Sequence, residues 1–242
     1  MKQTDSLFSK PLMKVADFSF DDQVADVFPD MISRSVPGYK DILHSIEQLS
    51  SMYAKPEQTI YDLGCSLGAA SLAAAHGSPH NNEIHAFDNS AAMLARCARY
   101  IRQFSHSDRI SLFENDVTEI PIKNACIVIM NFTLQFISPD KRNGLIQRIY
   151  DGLNPGGILI LSEKIRASQP LADSLLIDLH HEFKRENGYS ELEISQKRAA
   201  LENVMQLNTF EEHKKRLVDA GFDSVALYYK RFNFSSMVAI KA

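Results

Sequence analysis

No run of the 242-residue sequence is apolar for the length that a bilayer-spanning helix needs, which excludes a helical membrane protein. The start, Met1-Lys-Gln-Thr-Asp-Ser6, lacks the hydrophobic segment of a secretory signal, so a soluble, cytoplasmic protein is expected. Cysteine is scarce. Cys65, Cys97 and Cys126 are odd in number and far apart, without the paired spacing of a zinc site or a disulfide framework, and they suit a reducing compartment. An excess of one charge is missing too. With 26 Lys and Arg against 30 Asp and Glu, the net charge of -4 advertises no field for direct nucleic-acid or anionic-membrane binding. A small molecule is the expected partner. No metal is expected, because His180-His181 are adjacent, point to different faces of a helix and have no carboxylate at suitable spacing; the pair is given no role.

What is present is 45% hydrophobic residues, enough to bury a full core, and one stretch that organises the rest. Thr59-Ile-Tyr-Asp-Leu-Gly-Cys-Ser-Leu-Gly68 is a short apolar run that stops at a glycine loop and opens into the alanine-rich segment 69–75. It reads as a buried strand handing a loop to a helix N-terminus, where free backbone N–H groups await a ligand.

The chain before this stretch is expected to be mobile over residues 1–17 and then helical. Phe20, Val24, Val27, Phe28 and Met31 have helical spacing, interrupted by Pro29, and Pro37-Gly38 opens a second helix with Ile42, Leu43, Ile46, Leu49 and Met52 on one face. After the stretch, strand and helix patterns alternate. Strands are predicted at 83–87, 110–113, 125–130 and 158–161, with Ser90 capping one of the helices between them. From 164 to 208 the pattern is helical without a strand and includes the capping box Ser190/Glu193; Thr209/Glu212 offers another. Two apolar runs, 225–229 and 237–240, close the chain too near each other for a crossover helix, so one runs antiparallel. The expectation is a doubly wound α/β fold: one domain over 18–242 with a mostly parallel seven-stranded sheet, an antiparallel terminal strand, an N-terminal helical cap (18–54) and a helical insertion (164–208).

Gly64, Asp88, Asp116 and Asn131 all fall at strand carboxyl ends, where open parallel sheets bind ligands. Singly, Gly64 and Gly68 are also ordinary turn glycines, and Asp88 also a helix cap. Asp88 follows the loop at the spacing at which an acidic residue accepts ribose hydroxyls, and Ser90 is available as the cap. The order Gly64-Cys-Ser-Leu-Gly68 lacks the third glycine of a dinucleotide fingerprint, and Asp62 precedes it. A carboxylate there disfavours phosphate and favours a cationic ligand.

These features resemble the class I methyltransferase fold, with Ser66 in place of the usual middle glycine, Asp88 as the ribose acid and Asn115-Asp116-Val117 where adenine is contacted. The resemblance implies S-adenosylmethionine as the ligand. Three longer strings, Phe20 to Tyr39, Asn131-Phe-Thr-Leu-Gln-Phe136 and Asn187 to Arg198, resemble the carboxy-S-adenosylmethionine synthase family. That resemblance implies conversion of S-adenosyl-L-methionine and prephenate to carboxy-S-adenosyl-L-methionine and phenylpyruvate, the product serving to build 5-oxyacetyl uridine at the tRNA wobble position. Prephenate breakdown would supply the means to deprotonate the sulfonium methyl, so no protein base is required. A homodimer is implied as well.

Carried onto this sequence, the resemblance assigns Gly64, Cys65 and Ser66 to the glycine loop, Asp88 and Asn89 to the ribose, and Asp116 and Val117 to adenine. Tyr39 and Asn131 would hold the methionine end, and Arg198 would clamp the carboxylate that distinguishes the product, in its own or a neighbour's pocket. The residues themselves leave alternatives open. Tyr39 at a helix start also suits the core, and Lys197-Arg198 also suits a solvated helix face. An amide ending an apolar strand, as at Asn131, needs a partner. Plain methyl transfer to a small molecule, and a non-catalytic binder of the nucleoside, are the other functions the sequence allows.

Overall fold

The computed structural model describes residues 4–242. Two helices, α1 (Asp22–Ser35) and α2 (Tyr39–Tyr53), precede β1 (Thr59–Leu63), α3 (Ala69–Gly77), β2 (Ile84–Asp88), α4 (Ala91–Ile101), β3 (Ile110–Glu114) and β4 (Ala125–Asn131). There follow α5 (Pro139–Gly152), β5 (Leu153–Lys164), α6 (Pro170–Glu186), α7 (Glu191–Glu202), α8 (Phe210–Asp219), β6 (Ser224–Arg231) and β7 (Phe234–Ile240). The seven strands form one sheet in the order β3-β2-β1-β4-β5-β7-β6, in which β7 runs antiparallel to the other six.

The apolar run of β4 shows why the sheet is covered on both faces. Ile127 and Ile129 join the cluster beneath α2, α3 and α4, while Val128 and Met130 join the cluster formed with α5 and α8. β5 divides likewise, Ile158 and Ile160 facing one way and Leu159 and Leu161 the other. The predicted caps form where local chemistry dictates them. Ser90 Oγ accepts from Met93 N, and Ser190/Glu193 and Thr209/Glu212 are both reciprocal capping boxes.

Two expectations are corrected. The break expected at Pro29 does not occur: α1 runs through it, because one missing backbone donor is offset by burial of Val24, Ala25, Val27 and Met31 along a single face. The fifth strand is longer than 158–161 and extends to Lys164, since β7 continues to pair with it at Glu163↔Ser235 and Lys164↔Phe234; the helical insertion starts after Lys164. Of the stretch 1–17, residues 1–3 lie outside the described residues, and several of the others make contacts with the rest of the chain. Asp5 is buried, its N–H donates to Asp30 Oδ2 at 2.7 Å and its carboxylate accepts from the Tyr189 hydroxyl. Gln196 of α7 accepts from Leu12 N at 2.7 Å and donates to the carbonyls of Phe8 and Lys10, each at 2.9 Å.

β5 also carries Glu163 into the interior. Its Oε1 accepts from Leu134 N at 2.9 Å and its Oε2 has no partner, so burial pushes the carboxyl up from 4.5 to about 8. A folded-state value raised in this way favours the native state fully below pH 4.5 and loses that contribution as pH rises through about 8. Glu163→Gln removes the dependence. Thermal denaturation across that window is expected to show the variant gaining on the wild type with rising pH, by about 2 kcal/mol or more.

Candidate functional site

The loop after β1 is shaped by three residues in the left-handed region, Gly64 (φ 85°), Ser66 (φ 53°) and Gly68 (φ 82°). Gly64 has no room for a side chain, since an added Cβ would fall 2.3 Å from Thr133 Oγ1. Ser66 takes a conformation that costs a side-chain-bearing residue about 1–2 kcal/mol, and its N–H donates to Asp88 Oδ2 at 2.8 Å. Asp88, at the end of β2, accepts from Ser90 N at 2.9 Å through its other oxygen. Burial raises the Asp88 carboxyl, and the N–H groups of Ser90, Ser66 and Asn89 oppose that rise. Each carboxylate oxygen retains accepting capacity toward a ligand hydroxyl.

Beyond β3, Asp116 Oδ1 accepts from Thr118 N at 2.8 Å; burial raises its carboxyl, but the backbone and hydroxyl of Thr118 and the charge of Lys141 together hold it below the usual range. Val117 packs into the core beside it. Asp62 does not reach the cavity. It is fully buried behind the loop, hydrogen-bonded by Ser71 Oγ at 2.5 Å, and burial pushes it up to about 6. Any influence on a cationic ligand is therefore through space. Cys65 lies beside Cys97, and that contact with burial pushes its thiol upward.

The turn between α1 and α2 sets the opposite wall. Gly38 (φ 70°) sits where an added Cβ would overlap the Tyr229 ring, and the Tyr229 hydroxyl donates to Pro37 O at 3.1 Å. Tyr39, the first residue of α2, is thereby held close to Asn131; burial drives its phenol upward. Asn131 Oδ1 is buried without a hydrogen-bond partner. Phe132 follows it with φ 65°, a strained turn of the kind found at binding sites.

One cavity of about 400 Å³ joins these parts. Tyr39, Gly64, Cys65, Ser66, Asp88, Asn89, Asp116, Val117 and Asn131 all lie on its wall. Arg198 does not: it is exposed on α7 outside the wall, whereas Lys197, one residue earlier, lines the cavity and is buried. The helix therefore turns Lys197 inward and leaves Arg198 exposed in this chain. His180, given no role from sequence, also lines the cavity, its Nε2 lying 2.8 Å from Ser35 O and its ring edge-on to Phe234. Lys164, Lys184 and Thr133 were missed as well. Lys164 had a usable signal, a polar residue at a strand's carboxyl end; the others had none.

Sheet order, the reversed β7 and a glycine loop facing an acid at the end of β2 define the class as the methyltransferase fold. Residues 60–157 match the family described as Methyltransferase domain. The solved magnesium protoporphyrin IX methyltransferase from Synechocystis PCC 6803, with bound SAH, superimposes at a TM-score of 0.62 and 16% identity, over 88% of this chain and 87% of that one. Closer in sequence are two proteins named Carboxy-S-adenosyl-L-methionine synthase. The one from Alteromonas mediterranea is 54% identical over 100% of both chains, and the one from Pseudoalteromonas atlantica is 56% identical over 98% of both. The chain belongs to the carboxy-S-adenosyl-L-methionine synthase family, a family of transferases. Among the described residues no helix is long and apolar enough to cross a membrane.

The donor and acceptor set suits a sulfonium nucleoside. The orphaned Asn131 Oδ1 can accept from an ammonium group, the loop at Gly64 packs against Thr133 only without a Cβ, and Asp88 can take a diol. Asn131→Ala is expected to weaken S-adenosylmethionine binding by about tenfold to a hundredfold, the worth of one hydrogen bond to a charged group. Its melting temperature should not fall, because the free protein loses an unpaired buried acceptor. Calorimetric titration and a melt check both halves of the expectation.

Proposed function

We propose that the protein converts S-adenosyl-L-methionine and prephenate to carboxy-S-adenosyl-L-methionine and phenylpyruvate, supplying the donor for 5-oxyacetyl uridine at the tRNA wobble position. The observation that carries the reading is end-to-end identity of 54% and 56% with proteins named for that product. Bound S-adenosylmethionine supplies a sulfonium centre that acidifies its methyl group. The chain's residues bind and orient. Asp88 and the Gly64–Ser66 loop hold the nucleoside, Asp116 and Val117 flank the base, and Tyr39 and Asn131 receive the methionine end. Phe20 and Phe136, packed edge to face at 5.3 Å, line the cavity with apolar surface. The test is phenylpyruvate release by purified protein, which must depend on both S-adenosylmethionine and prephenate; release without the nucleoside, or none at all, defeats the reading.

The match of residues 60–157 to a methyltransferase domain favours a second reading, methyl transfer to a small molecule. S-adenosylhomocysteine formed with an identified acceptor would establish it. In either case the protein acts in the cytoplasm on small molecules and does not itself bind tRNA. A homodimer is proposed from the outer face of α6, where Leu171, Leu175 and Leu179 are 89%, 59% and 38% exposed in a row. Arg198, outside its own chain's cavity, would then be free to clamp the product carboxylate in the neighbour's. A single-subunit mass in solution scattering would remove this role.

A further inference from the structure

Three lysines converge on the arm of the cavity beneath the helical insertion, and two of them lack an anionic partner. Lys197 Nζ lies 3.4 Å from Asp5 Oδ2 and 3.2 Å from Ser35 Oγ. Asp30 and Arg34, 3.2 Å apart, adjoin them through Asp5 N, so two carboxylates balance two cations in that group. Among the described residues neither Lys164 Nζ nor Lys184 Nζ has a carboxylate within 4.0 Å or a hydrogen-bond partner. Lys184 is only 6% exposed. Lysine is almost never so buried without a counter-charge, because desolvation of an unpaired ammonium is costly.

We propose that Lys164 and Lys184, backed by Lys197, form an anion subsite that takes the carboxylates of a small organic dianion beside the sulfonium-nucleoside arm. The proposal rests on the reading that this cavity brings a dicarboxylate co-substrate to a sulfonium nucleoside. Position supports it. Ser162 pairs with Asn131 across β5 and β4, so Lys164 stands two residues, about 7 Å, beyond the methionine end along the sheet. Lys184 and Lys197, from α6 and α7, line the same cavity, close enough for Lys184 to feel the charges of both other lysines. Phe234 supplies an apolar surface beside Lys164, its ring 5.9 Å from Lys164 Nζ and 4.8 Å from the His180 ring.

Charge supports it as well. Lys164 and Lys184 leave a surplus of two positive charges, which a dianion neutralises. His180 does not alter the balance, because burial pushes it down to about 2 and its ring faces Ser35 O. Without an occupant, burial lowers Lys164 to about 8 and Lys184 to about 7, mutual repulsion and Arg198 adding to burial while Asp173 and Asp5 oppose it. Lys197 is lowered to about 8 by burial against Asp5, and His181 is lowered by burial and these same lysines. A bound dianion restores full charge to the lysines, so binding must take up protons near neutral pH.

The experiment is calorimetric titration of the S-adenosylmethionine-loaded protein with prephenate and, separately, with malonate, in buffers of different ionisation enthalpy. Lys164→Met and Lys184→Met keep the side-chain volume and remove a buried charge, so both should melt no lower than the wild type. Each is expected to weaken dicarboxylate binding by about tenfold or more and to reduce proton uptake, with S-adenosylmethionine affinity held within about twofold. Prephenate or malonate binding unchanged in both variants overturns the subsite, and so does loss of S-adenosylmethionine binding alone, which would assign the lysines to the methionine carboxylate. Lysine-dependent malonate binding without prephenate turnover sustains the subsite and defeats the reaction reading instead.

Discussion

Gly64→Ala is expected to reduce S-adenosylmethionine binding by about a hundredfold or more and to lower stability by about 1–2 kcal/mol, the cost of forcing a Cβ into the left-handed region. The effect has two sources. The backbone at φ 85° disfavours any side chain, and the new methyl would meet Thr133 Oγ1, Cγ2 and Cβ at 2.3, 2.5 and 2.9 Å. Thr133 is fixed between Asn131 and the short turn Leu134–Phe136, which Glu163 holds through Leu134 N, so the loop must yield rather than the threonine. Displacing the loop disturbs the cradle that the ligand requires. Gly144→Ala is the control: it lies in α5 with nothing within 4 Å of an added Cβ, and should stabilise by roughly 0.5–1 kcal/mol. Calorimetry and thermal melts read both variants; near-normal affinity in Gly64→Ala would show that the loop is not the cradle.

Asp88→Ala carries the second large effect. On the proposed ribose role it removes the acceptors for two hydroxyls, and it strands Ser66 N and Ser90 N, now 2.8 and 2.9 Å from carboxylate oxygens. Two charge-assisted bonds lost to the ligand weaken binding by about a hundredfold or more, and the unpaired donors cost about 1–3 kcal/mol of stability. Asp88→Asn separates the contributions, since an amide oxygen can serve only one of the two donors while its NH2 opposes the other. The alanine variant should lose both affinity and melting temperature. A melting temperature that falls while affinity is unchanged would reduce Asp88 to a cap and remove the ribose role.

Most of the nucleoside arm was legible in the chain because local rules govern it. A continuous apolar run made β4, glycines made the loop, and short polar patterns made the caps at Ser90, Ser190 and Thr209. The lysine arm was not legible, because burial of a lysine is decided by distant partners. Lys197 and Arg198 are neighbours on α7, which has no clean apolar stripe to fix its phase, and the helix turns one into the cavity and the other to solvent. Lys184 and His180 lie one turn apart on α6, where Leu171, Leu175 and Leu179 face outward, so apolar spacing does not mark the buried face. The anchoring of Asp5 by Tyr189 and Lys197 depends on residues at the other end of the sequence. Composition cannot show such a contact. At Pro29, packing of one helix face prevailed over a local rule.

We propose that the cavity transfers a carboxyl group from one small molecule to a sulfonium nucleoside. It is tested most directly by incubating purified protein with S-adenosylmethionine and prephenate isotopically labelled in its carboxyl groups, then reading products by mass spectrometry. A sulfonium nucleoside heavier by one labelled carboxyl group, formed in equal amount with phenylpyruvate, is the expected result. S-adenosylhomocysteine with no labelled sulfonium product would contradict the claim.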